Sequence, residues 1–103
     1  KLKTKANVGV TTVGIYTAPA ATTTVVIGIT MANTSGSGVN VGVGITRASA
    51  EDIKLLKNAP LPQGSSLEFM AGNKVVLEAT DTITVDSDAN NSVDTALTIM
   101  EIT

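Results

Sequence analysis

The sequence contains no cysteine and no histidine. Without cysteine the chain can form neither a disulfide nor a thiolate metal site, and the redox compartment stays open. Without histidine it lacks the commonest general base and metal ligand. Ser35, Ser37, Ser65 and Ser66 therefore have no histidine to activate them as nucleophiles. We expect a protein that is not an enzyme and that needs no cofactor.

Aromatic residues are also scarce, since Tyr16 and Phe69 are the only two in 103 residues. A core built from valine, isoleucine, leucine, alanine and methionine suits two thin sheets packed face to face. Charged residues make up 16% of the chain and the net charge is −2, which argues against a nucleic-acid partner. The longest apolar runs are far too short to span a membrane, and no signal peptide is apparent.

Carboxylates offer the remaining candidates for chemistry. Glu51 and Asp52 are adjacent, and Glu68, Glu78 and Asp81 lie near predicted strand ends. Paired carboxylates hydrolyse glycosides, but none of these residues comes with the aromatic platform that a sugar site usually has. We expect no catalytic residues.

The segment 86–94 offers oxygen ligands at alternate positions, Asp86, Asp88 and Asn90, with Asp94 beyond them, as some calcium loops do. The EF-hand pattern fails in it, because Asn91 stands where glycine is required and Leu97 where glutamate is required. We interpret the segment as a solvated hairpin tip and expect no metal site.

The predicted fold is organised around two runs in which aliphatic residues alternate with other residues. One face of each run is aliphatic: Val25, Ile27, Ile29 and Met31 in the first run, and Val39, Val41, Val43 and Ile45 in the second. A period of two with β-branched residues on one face predicts two half-buried strands, at 24–33 and 39–46. The Gly/Ser/Thr tract 34–38 between them predicts a hairpin loop.

The other face of that hairpin has almost no side chains. Folding the pair about Gly36 would place Gly28 opposite Gly44 and Thr30 opposite Gly42. Glycine in a strand interior often marks a close approach of another backbone. We therefore predict that Gly28, Thr30, Gly42 and Gly44 contribute to a subunit interface. The alternative is that these small residues only permit twist or fit under a loop of the same chain.

The first residues alternate lysine with other side chains. Lys1, Lys3 and Lys5 discourage edge-to-edge pairing, so residues 1–6 are predicted as an edge strand, with an arm that docks on a neighbour as the alternative. In the second case these lysines belong to the interface as well.

The rest of the chain predicts further short strands. These lie within 7–16, with a bend near 11–12, and at 66–70, 74–78, 82–86 and 93–102, and the turns fall at 63–64, 71–73, 79–81 and 88–91. The segment 47–62 is ambiguous, because Ser49 and Asp52 suggest a helix start while Pro60 and Pro62 would end any helix early; we favour a turn followed by a strand at 52–57. The whole chain is thus predicted as one all-β domain, an antiparallel β-sandwich of jelly-roll type.

Several tracts resemble small structural proteins of tailed-bacteriophage virions, those of cyanophages and other marine phages in particular. They are VGIYTAP at 13–19, TTVVI at 23–27, NAPLPQGSSL at 58–67, KVVLEATDTITV at 74–85 and the closing EIT. The sequence differs from the pattern at Thr80, where glycine is commoner.

The resemblance implies a non-enzymatic β-sandwich in the virion. It points to a decoration (cement) protein that binds the major capsid protein or other virion proteins as a symmetric homo-oligomer, with a trimer expected. One alternative is a neck, tail or fibre component. Another is a carbohydrate- or surface-binding module, since the fold hosts those too.

Overall fold

The computed structural model describes residues 1–47, 51–69 and 75–102, with only the backbone described at Phe69. Within these ranges the chain forms nine β-strands and no helix, so no helix there could cross a membrane. The strands are β1 Leu2–Val8, β2 Val13–Thr17, β3 Thr23–Asn33, β4 Val39–Thr46, β5 Ile53–Leu61, β6 Ser66–Phe69, β7 Val75–Leu77, β8 Thr82–Ser87 and β9 Val93–Ile102.

The strands form two antiparallel sheets that pack face to face. The first sheet has the order β1-β9-β3-β6, and β7 pairs with β3 on the same side as β6. The second sheet has the order β2-β8-β4-β5. If β6 and β7 are counted as one interrupted strand, eight strands fill two four-stranded sheets, which is the jelly-roll arrangement. The predicted antiparallel β-sandwich of jelly-roll type is confirmed.

Two segments for which the sequence left alternatives open both contain strands. The lysine-rich segment forms β1, an edge strand paired with β9. The ambiguous segment contains β5, which continues through Pro60; proline is tolerated there because β5 is an edge strand. The helix start considered at Ser49 and the turn at 71–73 fall outside the described residues.

The predicted central hairpin is wrong. β3 pairs with β6, β7 and β9 in the first sheet, whereas β4 pairs with β5 and β8 in the second. The tract 34–38 crosses from one sheet to the other instead of reversing the chain within a sheet. Asn33 anchors this crossing, since its Nδ2 donates hydrogen bonds to the carbonyl oxygens of Ser37 (2.8 Å) and Leu61 (2.9 Å).

The predicted inner face of β3 is half correct. Ile29 and Met31 are fully buried, but Val25 is half-buried and Ile27 is 40% exposed. A register shift between Val26 and Gly28 explains the difference, because one extra residue in a strand reverses which side chains face the core. All four apolar residues predicted for the inner face of β4 are buried.

The core between the sheets is aliphatic, and a few polar side chains link the two sheets. Tyr16 of β2 is buried; its hydroxyl lies 2.9 Å from Thr24 Oγ1 on β3 and donates to Glu101 Oε2 on β9 at 2.5 Å. The sheets are therefore held together by apolar packing and by the side-chain hydrogen bonds of Tyr16, Asn33 and Ser87.

Candidate protein interface

The residues predicted as an interface fall on two different surfaces. Gly28 and Thr30 lie on the outward side of the first sheet, where they pair with Thr98 and Ala96 of β9. Gly42 and Gly44 lie in the second sheet, where they pair with Asp86 and Thr84 of β8. The glycine-lined face shared by β3 and β4 therefore does not exist, because the two strands belong to different sheets.

The two glycines of β4 are covered by their own chain. A Cβ atom at Gly44 would lie 2.8 Å from the Ile53 carbonyl oxygen, and one at Gly42 would lie 2.5 Å from Asp86 Oδ1. Both residues are buried. The alternative for these small residues was a fit under a loop of the same chain; Gly42 and Gly44 are indeed covered by their own chain, but by the strands β5 and β8.

Gly28 is different, since a Cβ atom there would meet nothing within 4 Å. It lies beside the register shift of β3, on a surface that we call the open face: the outward side of the first sheet. The open face comprises Leu2, Thr4, Val25, Ile27, Gly28, Thr30, Ala32, Ser66, Glu68, Val76, Asp94, Ala96, Thr98, Met100 and Ile102.

One half of the open face carries large apolar side chains. Met100, Val25 and Val76 form a row across β9, β3 and β7. Met100 is 50% exposed and Val76 55% exposed, and Ile102 lies two residues further along β9 at 51%. In most half-buried antiparallel sheets these outward positions are polar, so a row of exposed apolar residues indicates a binding surface.

The other half of the open face carries small side chains. Ala96, Thr30, Ala32 and Thr4 line a shallow depression of about 340 Å³ that Lys5 and Asp94 also border. A middle row of Leu2, Thr98 and Gly28 separates the two halves. The open face is thus a surface with a raised apolar half and a hollow half.

The predicted lysines lie on the edge of the first sheet. Lys3 pairs with Leu97, whose side chain is buried towards the second sheet, so Lys3 is on that side of β1; Lys5, where the register shift begins, is exposed and borders the depression. Lys3 Nζ lies 5.8 Å from the centroid of the Tyr16 ring, within the range of a cation–π contact. Inward-pointing charges of this kind protect an edge strand from unwanted pairing.

Lys1 is held by Glu101. Its Nζ lies 2.6 Å from Glu101 Oε1. The hydrogen bond from Lys1, followed by the one from Tyr16, lowers the pKa of Glu101 below its ordinary value. The same contact raises the pKa of Lys1, while burial and the bond to Glu101 raise the pKa of Tyr16. This group closes one end of the sandwich where β1, β2 and β9 meet.

The acidic segment 86–94 has structural partners. Asp88 Oδ1 accepts from the Asn40 backbone N–H at 2.9 Å, and Asp94 Oδ1 accepts from the Asn7 backbone N–H at 3.0 Å. Asp86 accepts from the Thr12 hydroxyl. Within the described part of the chain, no three acidic side chains converge closely enough to hold a metal ion.

Three of the predicted carboxylates gather around Arg47. Its Nε lies 3.2 Å from Asp81 Oδ2, its Nη2 pairs with Glu78, and its backbone N–H donates to Asp52 Oδ1 at 3.1 Å. The hydrogen bond to Asp81 is the main cause of the raised pKa of Arg47. These bonds connect the segment that follows β4 to the turn between β7 and β8. Glu51 is exposed and Glu68 lies on the open face.

Sequence reasoning missed the apolar row. Met100 and Ile102 alternate with the buried residues of β9, so their outward position was readable in the sequence. Their neighbours Val25 and Val76 come from distant parts of the chain, and no local pattern pairs them with β9.

Comparisons with known proteins bear on the fold. No model of a known protein family matches this sequence, and no curated protein matches it. A chain in the acidic stable capsid structure of Helicobacter pylori bacteriophage KHP30 superposes with a TM-score of 0.59, covering 100% of this chain and 92% of its own, at 10% sequence identity. At that identity the comparison shows a shared fold.

A family 16 carbohydrate-binding module is a more distant neighbour. It gives a TM-score of 0.34 at 16% identity, covering 93% of this chain and 73% of its own. A similarity that low carries no argument about carbohydrate binding. Tyr16, one of the two aromatic residues, is buried and offers no platform for a sugar ring.

Proposed function

We propose that the protein is a structural component of a bacteriophage virion, and specifically a decoration (cement) protein on the capsid. The observation that carries the proposal is the open face, a sheet surface with exposed apolar side chains and little charge. Such a surface suits contact with other proteins. The fold shared with a chain of a phage capsid structure and the tracts that resemble phage virion proteins support the same conclusion.

A decoration protein needs little chemistry of its own. It must present a rigid surface that adds apolar contacts to a shell, and many symmetric copies strengthen weak contacts through avidity. A cysteine-free, histidine-free sandwich with an aliphatic core meets these needs. The symmetric homo-oligomer, with the trimer that the resemblance implies, belongs to this proposal, as do the virion location and the major capsid protein as partner.

Virions of the phage that encodes this chain provide the test. Heads and tails are separated and analysed by mass spectrometry, and heads with and without the chain are compared by calorimetry. We expect the chain in the head fraction, and a lower disruption temperature for heads that lack it. Recovery with necks or tails would favour the alternative virion location, and absence from the virion would contradict the proposal.

A further inference from the structure

We infer that the open face binds a second copy of the same chain about a two-fold axis. Two features of the face support this occupant, namely its division into a raised half and a hollow half, and its size. The inference adds a specific self-contact to the proposed function, and the role of this contact in a virion rests on that proposed function.

The two halves are arranged so that the face fits itself. The middle row of Leu2, Thr98 and Gly28 runs across the strands. Met100 lies two residues from Thr98 on one side, and Ala96 lies two residues from it on the other. A two-fold axis along the middle row therefore brings the Met100 of each copy over Ala96 of the other copy.

The hollow half has room for what the raised half would insert. The depression lined by Ala96, Thr30 and Ala32 measures about 340 Å³. Opposite it, the same axis places the row of Met100 and Val25. Gly28, where an added Cβ atom would meet nothing within 4 Å, places no side chain of its own at the axis. In an isologous contact each such fit occurs twice.

The area is sufficient for a specific contact. From Asp94 to Ile102 and from β1 to β6 the face measures about 27 Å by about 19 Å at ordinary strand spacings, so two copies bury roughly 1,000 Å² in total. That value is at the lower limit for a biological interface, the size class of weak and reversible contacts. The carboxylates of the face, Asp94 and Glu68, lie towards its rim, where the same axis sets them opposite Ile102 and Val76 of the other copy and where water still reaches them.

The β1 edge of the first sheet does not offer an equivalent contact. Pairing β1 with β1 of another copy would bring Lys3 and Lys5 of both chains together, which charge repulsion disfavours.

The two-fold contact also determines which assemblies form. Single chains form dimers, and any trimers of the proposed function join through the open face into hexamers.

Sedimentation velocity of the purified chain from micromolar to submillimolar concentration tests the contact. We expect a species of twice the 10.4 kDa chain mass, or a hexamer. Met100→Lys and Ala96→Glu should each weaken association roughly tenfold or more, because each places a charge in the apolar contact. Combining both in one chain should restore association, since the two-fold axis pairs each lysine with the glutamate of the other copy.

The double variant makes the test specific for register. Within one chain, positions 96 and 100 are about 13 Å apart along β9, too far for a direct ion pair. Thr46→Lys, on the outward side of the second sheet, is the matched control and should leave association unchanged. Thermal unfolding of each variant establishes that it is folded.

Three outcomes would overturn the inference. They are a wild-type chain that stays monomeric or stops at a trimer, single variants that associate as well as the wild type, and a double variant that is not restored. None of these measurements uses a virion, so a failure here leaves the head-fraction test of the proposed function unaffected.

Discussion

The outward faces of the two sheets differ in how far the chain itself covers them. On the second sheet, Gly42 and Gly44 are buried beneath Asp86, Thr84 and the backbone of β5. On the first sheet, Gly28 has nothing above it and large apolar side chains stand exposed beside it. The second sheet therefore covers these two positions of its outward face with its own chain, whereas the first sheet leaves apolar side chains exposed to solvent.

The comparison shows that the same residue type can have opposite meanings in one molecule. Glycine at position 44 permits close packing within the chain, and glycine at position 28 leaves space outside it. Composition does not separate these cases. What separates them is the position of neighbouring strands, and these neighbours are distant in sequence.

Matched alanine substitutions provide the strongest test of this difference. Gly44→Ala should lower the free energy of unfolding by about 3 kcal/mol, because the added Cβ clashes with the Ile53 carbonyl oxygen. Gly28→Ala should raise it by about 0.5 kcal/mol, because alanine restricts the unfolded chain and meets no obstacle. Urea denaturation measures both values. An equal loss of unfolding free energy at the two positions would contradict the claim that one glycine is covered and the other is open.

The strands themselves were largely predictable from sequence. Alternation identified the buried residues of β4, β8 and β9, since period-two patterns report which side of a strand faces the core. The pairing of strands was not predictable. Alternation carries no information about which strand lies alongside, so β3 and β4 looked like a hairpin although they lie in different sheets.

Two threonines on the buried side of the first sheet sharpen the comparison between its two sides. Thr24 Oγ1 hydrogen-bonds the Tyr16 hydroxyl, whereas Thr95 Oγ1 is buried with no partner among the described residues. Thr95→Val should therefore raise the free energy of unfolding by about 1 kcal/mol, and Thr24→Val should lower it by about 1 kcal/mol. Urea denaturation distinguishes the two signs, and a loss of stability at both positions would contradict the assignment.

The turn that joins the two sheets after β7 contains a strained residue. Thr80 has a φ of 69°, a conformation that costs a β-branched residue about 1 kcal/mol. Thr80→Gly should raise the thermal midpoint accordingly, since glycine adopts a positive φ at little cost. Ala79→Gly, one residue earlier at negative φ, is the control and should lower the midpoint. A fall in both variants would contradict this account of the turn.

The smallest expected effect is the pH dependence of the contact between the sheets at Glu101. Its pKa is lowered in the folded state by Lys1 and Tyr16, so its contribution to stability is present above the ordinary value of 4.5 and is lost as the pH falls through the folded pKa. Glu101→Gln should flatten this part of the curve of thermal midpoint against pH. The exposed Glu51→Gln serves as control, and identical curves for wild type and Glu101→Gln would refute the linkage.

The candidate interface was only partly predictable, for a physical reason. Gly28 and Thr30 were identified from the scarcity of side chains on one side of β3, and they lie on the open face. Met100, Val25 and Val76 form one row only after three distant strands have paired. The register shift before Gly28 also turned Val25 and Ile27 outward, which a strict alternation could not anticipate.

Methionine oxidation tests the central claim most directly, because the chain carries its own internal reference. Met100 is half exposed on the open face, and Met31 is fully buried in the core. Peroxide oxidation followed by mass spectrometry compares Met100 in the dilute free chain with Met100 in intact virions. The account predicts that Met100 reacts readily in the free chain and becomes as protected as Met31 in the virion. Oxidation of Met100 at the same rate in both states would contradict the claim that this face binds protein.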